Sequence, residues 1–121
     1  MALYQEAGWW QAADQAHPEG FTKIVQNSAV FAGAFAGEHL IGMGRALSDL
    51  VSDAYIQDVT VLKAYRGNGI GKKIIQTLVN ALKDHGVDWI GLVAQPGTQS
   101  FYHALGFEPL KGHTALKYTD I

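Results

Sequence analysis

The stretch Arg66-Gly67-Asn68-Gly69-Ile70-Gly71-Lys72-Lys73 decides how the rest of the chain is read. It separates a strand-like run, Ala54 to Val61, from the most regular helical pattern in the sequence. Beyond the loop, Ile70, Ile74, Ile75, Leu78, Val79 and Leu82 recur at helical spacing, and Gly86 stands where a C-terminal cap belongs. A glycine-rich turn opening a helix leaves the first N–H groups of that helix without intrahelical acceptors. Together with the helix dipole they form a site for a phosphate or pyrophosphate. Arg66, Lys72 and Lys73 add positive charge beside it.

The spelling excludes two common phosphate loops. A P-loop needs Gly where Arg66 stands and Ser or Thr where Lys73 stands. A dinucleotide fingerprint read from Gly67 needs its last glycine at position 72, which is Lys. A turn that merely caps the helix is the bland alternative.

Working outward, Asp88 to Ala94 is an apolar run closed by Gln95-Pro96-Gly97 and reads as a buried strand. Thr98 then caps a short helix ending at Gly106. Phe107 to Leu110 and His113 to Tyr118 are expected to close the sheet as a hairpin about Lys111-Gly112. Upstream, Ala29 to Ala36 and His39 to Ser48 read as strands joined tightly at Gly37-Glu38. Ser48 to Asp53 reads as a turn. Leu3 to Ala16 and Glu19 to Gln26 read as helices, the second with Phe21, Ile24 and Val25 on one side. The order predicts one mixed α/β (α+β) domain over residues 1–121, a mostly antiparallel sheet flanked by helices.

Composition narrows the function. The chain has 121 residues, 48% of them apolar and 17% charged, an ordinary balance for a folded domain. A net charge of -2 argues against nucleic acid as partner, because phosphate backbones are held by an excess of Lys and Arg. With no cysteine there is no thiol nucleophile, disulfide or thiolate-ligated metal. The five histidines show no ligand spacing, so no metal is expected. The N-terminus has neither a basic flank nor a long apolar run, so no signal peptide, no membrane partner and a cytoplasmic location are expected.

Arg66, Gly69 and Gly71 fall on the Q/R-x-x-G-x-G/A signature of the GNAT superfamily of N-acetyltransferases, which the chain resembles from about Ser28 onward. Phe101-Tyr102-His103-Ala104-Leu105-Gly106-Phe107 is similar to the family's F-Y-x-x-x-G-F segment. The resemblance implies acetyl-CoA as cosubstrate. Its pyrophosphate would lie on Arg66, Gly67, Asn68, Gly69, Ile70, Gly71 and Lys72, and Val59 and Val61 would flank the pantetheine arm. For Phe101, Leu105 and Phe107 simple core packing is the preferred reading. The implied reaction is transfer of acetyl to a primary amine, by direct attack in a ternary complex, with a small-molecule acceptor preferred over a peptide.

An alkylamine with a pKa of about 10 must lose a proton before it attacks, and the departing thiolate must gain one. The resemblance makes Tyr102 the candidate proton donor. Asp58 is the candidate base, with an internal structural bond as its alternative role. Strand alternation sets Tyr55 and Gln57 on one face and Ile56 and Asp58 on the other, unless a bulge, frequent in the family, resets it. Relatives often carry Glu or His where Tyr55 or Gln57 stands, so a water relay competes with a side-chain base. Tyr55, Gln57 and Trp9 are acceptor-side candidates, with Trp10, Arg45 and Asp49 behind them.

Set against the resemblance, the sequence starts almost at the family's first helix, so the usual first strand is expected to be missing. Ala29 to Ala36 is then expected to be a sheet edge, covered by the N-terminal segment or paired in a homodimer. Two readings compete with the enzyme: an inactive coenzyme A-binding module, and a regulatory domain for another nucleotide.

Overall fold

A computed structural model describes residues 19–120, and the expected helix at Leu3 to Ala16, with Trp9 and Trp10, lies outside them. The first described element is helix α1 (Glu19–Asn27), followed by strands β1 (Val30–Ala36), β2 (His39–Ser48) and β3 (Asp53–Val61). A single 3₁₀ turn at Lys63–Tyr65 leads into helix α2 (Ile70–Asp84), strand β4 (Trp89–Leu92) and helix α3 (Gln99–Ala104). The strands form one sheet in the order β1-β2-β3-β4. β1–β2 and β2–β3 are antiparallel, while β4 joins β3 in parallel after the α2 crossover. Among the described residues β1 is an edge, as expected, and its Phe35 is largely exposed.

Among the described residues, α2 packs on one face of the sheet and α1 on the other. Ala32, Ile56, Ile74, Ile75 and Leu78 close the core under α2, extended by Ala46, Ala54, Leu82 and Val87. On the other face Met43 is fully buried beneath Phe21 and Ile24 of α1, with Phe31, Leu40 and Leu62 around it. Burying side chains of this size is worth about 1.5–3 kcal/mol each, so the apolar face of α2 anchors it more firmly than its intrinsic propensity does.

α2 ends as its sequence dictates. The Gly86 N–H donates to the Lys83 carbonyl at 2.9 Å and the Val87 N–H to the Leu82 carbonyl at 3.1 Å. Val87 then buries its side chain beside Leu82. This is a Schellman cap with its hydrophobic contact.

Two local expectations are corrected. The turn at Lys111-Gly112 forms, but its flanks do not pair, and residues 107–120 contain no strand. The alternation there satisfies the local pattern, yet Leu110, Leu116 and Tyr118 remain exposed. A two-stranded hairpin is marginal unless it gains a third strand or an apolar face to cover. Thr98 does stand at the head of α3, but its hydroxyl donates backwards to the Gln95 carbonyl at 2.7 Å and makes no helix cap bond.

Candidate active site

β3 and β4 pair only from Asp53↔Trp89 to Ile56↔Leu92. β3 runs on to Val61 while β4 stops, so the parallel strands part at their C-terminal ends. A cleft of about 280 Å³ opens there, lined by residues of three segments: Tyr55 to Val59, Leu92 and Val93 with Gln95, and Thr98 with Tyr102. Ligands in sheets with parallel strands bind in such crevices outside the carboxyl ends of the strands.

One wall is bent by a bulge. Arg45 pairs with Gln57 and Met43 with Thr60, so Asp58 and Val59 together oppose Gly44 alone. Asp58 has φ 58, left-handed backbone in mid-strand, at a cost of about 1–2 kcal/mol for a residue with a side chain. The bulge resets the alternation. Val59 and Val61 pack with Ile56 against the α2 core, while Asp58 leaves Ile56 and reaches the face that carries Arg45. There Asp58 Oδ2 accepts a bond from Arg45 Nε at 2.7 Å.

The other expected acceptor-side residues divide. Tyr55 and Gln57 are exposed and line the cleft, and the Tyr55 ring lies 5.3 Å from that of Trp89. Asp49 belongs to the turn before β3 instead. Its carboxylate accepts the Val51 and Ser52 N–H groups at 2.8 and 3.2 Å, which hold its pKa below the ordinary value.

Tyr102 is half-buried in the cleft wall, edge-on to the rings of Phe101 (5.0 Å) and Phe107 (5.9 Å). Burial raises the pKa of its phenol. Its hydroxyl has no hydrogen-bond partner among the described residues. The group is therefore a protonated donor at neutral pH, presented to the cleft without a competing acceptor.

The glycine loop stands beside the far end of β3. Arg66 Nε donates to the Val61 carbonyl at 2.8 Å and Asn68 Nδ2 to the Tyr65 carbonyl at 3.1 Å, tying the loop to the strand and to its own first turn. Gly67 and Gly69 both have positive φ, 83 and 77. Gly69 heads α2, and the first intrahelical bond runs from the Lys73 N–H to its carbonyl at 3.1 Å. The N–H groups of Ile70, Gly71 and Lys72 thus have no intrahelical acceptor. Lys72 and Lys73 are exposed nearby.

Phe101 contributes what its sequence pattern hid. It is not core: its ring lies over the first turn of α2, where a Cβ on Gly71 would come 3.4 Å from Phe101 Cζ. Leu105 and Phe107 do pack against the core. Leu92, Val93, Gln95 and Thr98 were also unmarked as site residues. Only their position after a strand and before a glycine-bounded short helix could have signalled them.

This geometry has relatives. The acetyltransferase (GNAT) family model matches residues 2–107. The chain belongs to the GNAT family. An uncharacterized N-acetyltransferase, ycf52-like, of Prochlorococcus marinus is 32% identical over 124 residues, covering 98% of this chain and 67% of that protein. The chloroplastic GCN5-related N-acetyltransferase 2 of Arabidopsis thaliana is 45% identical over 69 residues, 57% of this chain and 27% of that protein. This GNAT chain thus spans only part of the curated relatives it matches. A probable acetyltransferase structure from Staphylococcus aureus superposes with TM-score 0.81 at 25% identity, covering 99% of this chain and 89% of that one. Among the described residues no group of His, Asp and Glu is disposed to hold a metal ion, and no helix is long and apolar enough to cross a membrane.

Proposed function

We propose that this GNAT domain transfers the acetyl group of acetyl-CoA to the primary amine of a small molecule, by direct attack in a ternary complex. The observation that carries the reading is the continuity of two features along β3. The cleft with the unpartnered Tyr102 hydroxyl opens along the middle of β3, and the helix-heading loop with its three open amides follows the C-terminal end of the same strand.

The residues fit the cosubstrate. Gly67 and Gly69 put no side chain over the amides, and a Cβ at either position would point into open space. A pyrophosphate would be held by the Ile70, Gly71 and Lys72 N–H groups, with the charges of Lys72 and Lys73 beside it. The backbone of Val59 and Val61 would flank the pantetheine arm, since their side chains are committed to the core. Acetyl-CoA supplies an activated acetyl thioester: the amine nitrogen bonds to the carbonyl carbon as the C–S bond breaks. Tyr102 donates its proton to the departing sulfur and regains one from solvent. The acceptor's proton leaves through water in the open cleft mouth, where Tyr55 and Gln57 orient the amine.

The acceptor reading rests on two supports. The Prochlorococcus and Arabidopsis relatives both carry the name N-acetyltransferase, which favours an amine acceptor. A cleft of about 280 Å³ suits a thioester end with a slender amine better than a protein segment. The test is thiol release from acetyl-CoA across a panel of small amines and lysine peptides. Activity with at least one small amine, lost in Tyr102→Phe, supports the reading. Activity confined to peptides refutes the acceptor class, and coenzyme A binding without turnover would make the domain a binding module.

A further inference from the structure

Asp58 combines three features that its place in a cleft wall does not require. It holds left-handed backbone in the middle of a strand, and among the described residues only one other residue besides glycine has left-handed backbone at all. The other, Leu50, lies in a turn braced by Ser48 and Asp49 side chains. Asp58 also forms, with Val59, the two-against-one bulge opposite Gly44. Its carboxylate is turned away from Ile56 and bonded at 2.7 Å to Arg45, with both side chains mostly shielded from water at 15% and 24% exposure.

Arg45 is itself braced from the helix on that face. Its Nη1 lies 3.5 Å from Ser28 Oγ, and Ser28 Oγ donates to the Ile24 carbonyl at the end of α1 at 2.6 Å. A chain of polar contacts therefore runs from α1 through Arg45 to the bulge. A strained residue persists only where its surroundings over-determine it, and this chain supplies that determination.

We propose that Arg45 is a positioning residue: by gripping the Asp58 carboxylate it locks the left-handed bulge and so fixes the cleft wall against which the acetyl thioester lies. The Asp58 carboxylate is a handle for the backbone and is not the base that takes the amine's proton. This inference rests on the acetyl-transfer reading of the same cleft.

The test asks which property of residue 58 restores function once the grip is removed. Arg45→Met alone lowers kcat/KM at least tenfold and weakens acetyl-CoA binding without abolishing it. Adding Asp58→Gly recovers most of that loss, because glycine takes φ 58 without strain and leaves no carboxylate to pair. Adding Asp58→Ala, which also removes the carboxylate but disfavours the left-handed backbone, recovers little. Recovery by both double variants would overturn the proposal, since the carboxylate deprived of Arg45, and not the backbone, would then be the whole defect. Recovery by neither would also overturn it and make the carboxylate itself the working group. An unimpaired Arg45→Met would show the grip to be dispensable.

Should Arg45→Met fail to fold, the two double variants, which lack the carboxylate, are compared directly with wild type: kcat/KM near wild type only with Asp58→Gly supports the proposal, and equal values in the two overturn it. Acetyl-CoA affinity by calorimetry on the same proteins separates the two readings. If wild type binds acetyl-CoA yet acetylates no amine, turnover falls, and the grip is judged on affinity: a Kd weakened in Arg45→Met and restored only by Asp58→Gly supports it, and any other pattern overturns it. A wild type that does not bind acetyl-CoA overturns both.

Discussion

Gly44 lies so close beneath Ile74 that a Cβ on the glycine would stand 2.8 Å from Ile74 Cγ2, with Leu78 Cδ1 and Val59 Cγ2 each at 3.1 Å. The helix that the glycine loop heads is thus seated on the backbone of β2 at the residue facing the bulge. Ile74 is β-branched and stiff, and it has no easy rotamer by which to retreat.

Gly44→Val is accordingly expected to destabilise the fold by about 1–3 kcal/mol, the usual cost of overpacking a tight core. It should also shift α2 relative to β3 and weaken acetyl-CoA binding. Urea denaturation with calorimetric titration checks both. A variant as stable as wild type with unchanged affinity would show that the seat is slack.

Tyr102→Phe keeps the ring contacts with Phe101 and Phe107 and removes only the hydroxyl. A proton donor in the transition state contributes about 10²–10⁴-fold. kcat should therefore fall by about a hundredfold or more, while Kd for acetyl-CoA stays within a few-fold. Steady-state kinetics beside calorimetry measures the pair. Equal losses in binding and turnover would make Tyr102 a wall residue and remove it from the chemistry.

The same phenol should be visible in alkaline stability. Burial disfavours the phenolate, so the folded state holds the Tyr102 proton to higher pH than the unfolded chain, which releases it near the ordinary value of about 10. Its contribution is fully present below that value and is lost as pH rises through the folded pKa. Above pH about 10 the unfolding midpoint of wild type should drop more steeply than that of Tyr102→Phe. Parallel curves would mean that the ring is hydrated.

What was legible in the chain follows from how local each cause is. The loop, the α2 stripe, the Gly86 cap and the Gly37-Glu38 turn each depend on a few adjacent residues, and all stand where their spacing puts them. The closing hairpin did not form, because a strand needs another strand's N–H and C=O groups, and the pattern from His113 to Tyr118 cannot say whether an edge is offered. Phe101 and Leu105 look alike in sequence, yet only the placement of α3 over the start of α2 sets one on Gly71 and the other in the core. The cleft itself is a property of two strands diverging, so Leu92 and Gln95 carry no signal of their own. The Arg45–Asp58 pair joins residues of different strands through a bulge whose position no residue type marks.

At Gly69 the backbone is left-handed, and any side chain strains it by about 1–2 kcal/mol. In Gly69→Ala the free loop relaxes and must be forced back when phosphate binds. Acetyl-CoA affinity should weaken about 5- to 30-fold, with little change in global stability. Unaltered affinity would place the pyrophosphate elsewhere.

The most direct test of the central claim is thermal unfolding of the protein with acetyl-CoA, set against ATP and NAD at equal concentration. A ligand at a hundred times its Kd stabilises the folded state by about 2.7 kcal/mol, on the order of 10 °C for a domain of this size. A rise of that order with acetyl-CoA, and none with ATP or NAD, is the result expected of this loop and cleft. No rise at millimolar acetyl-CoA, or an equal rise with a nucleotide, would contradict the assignment.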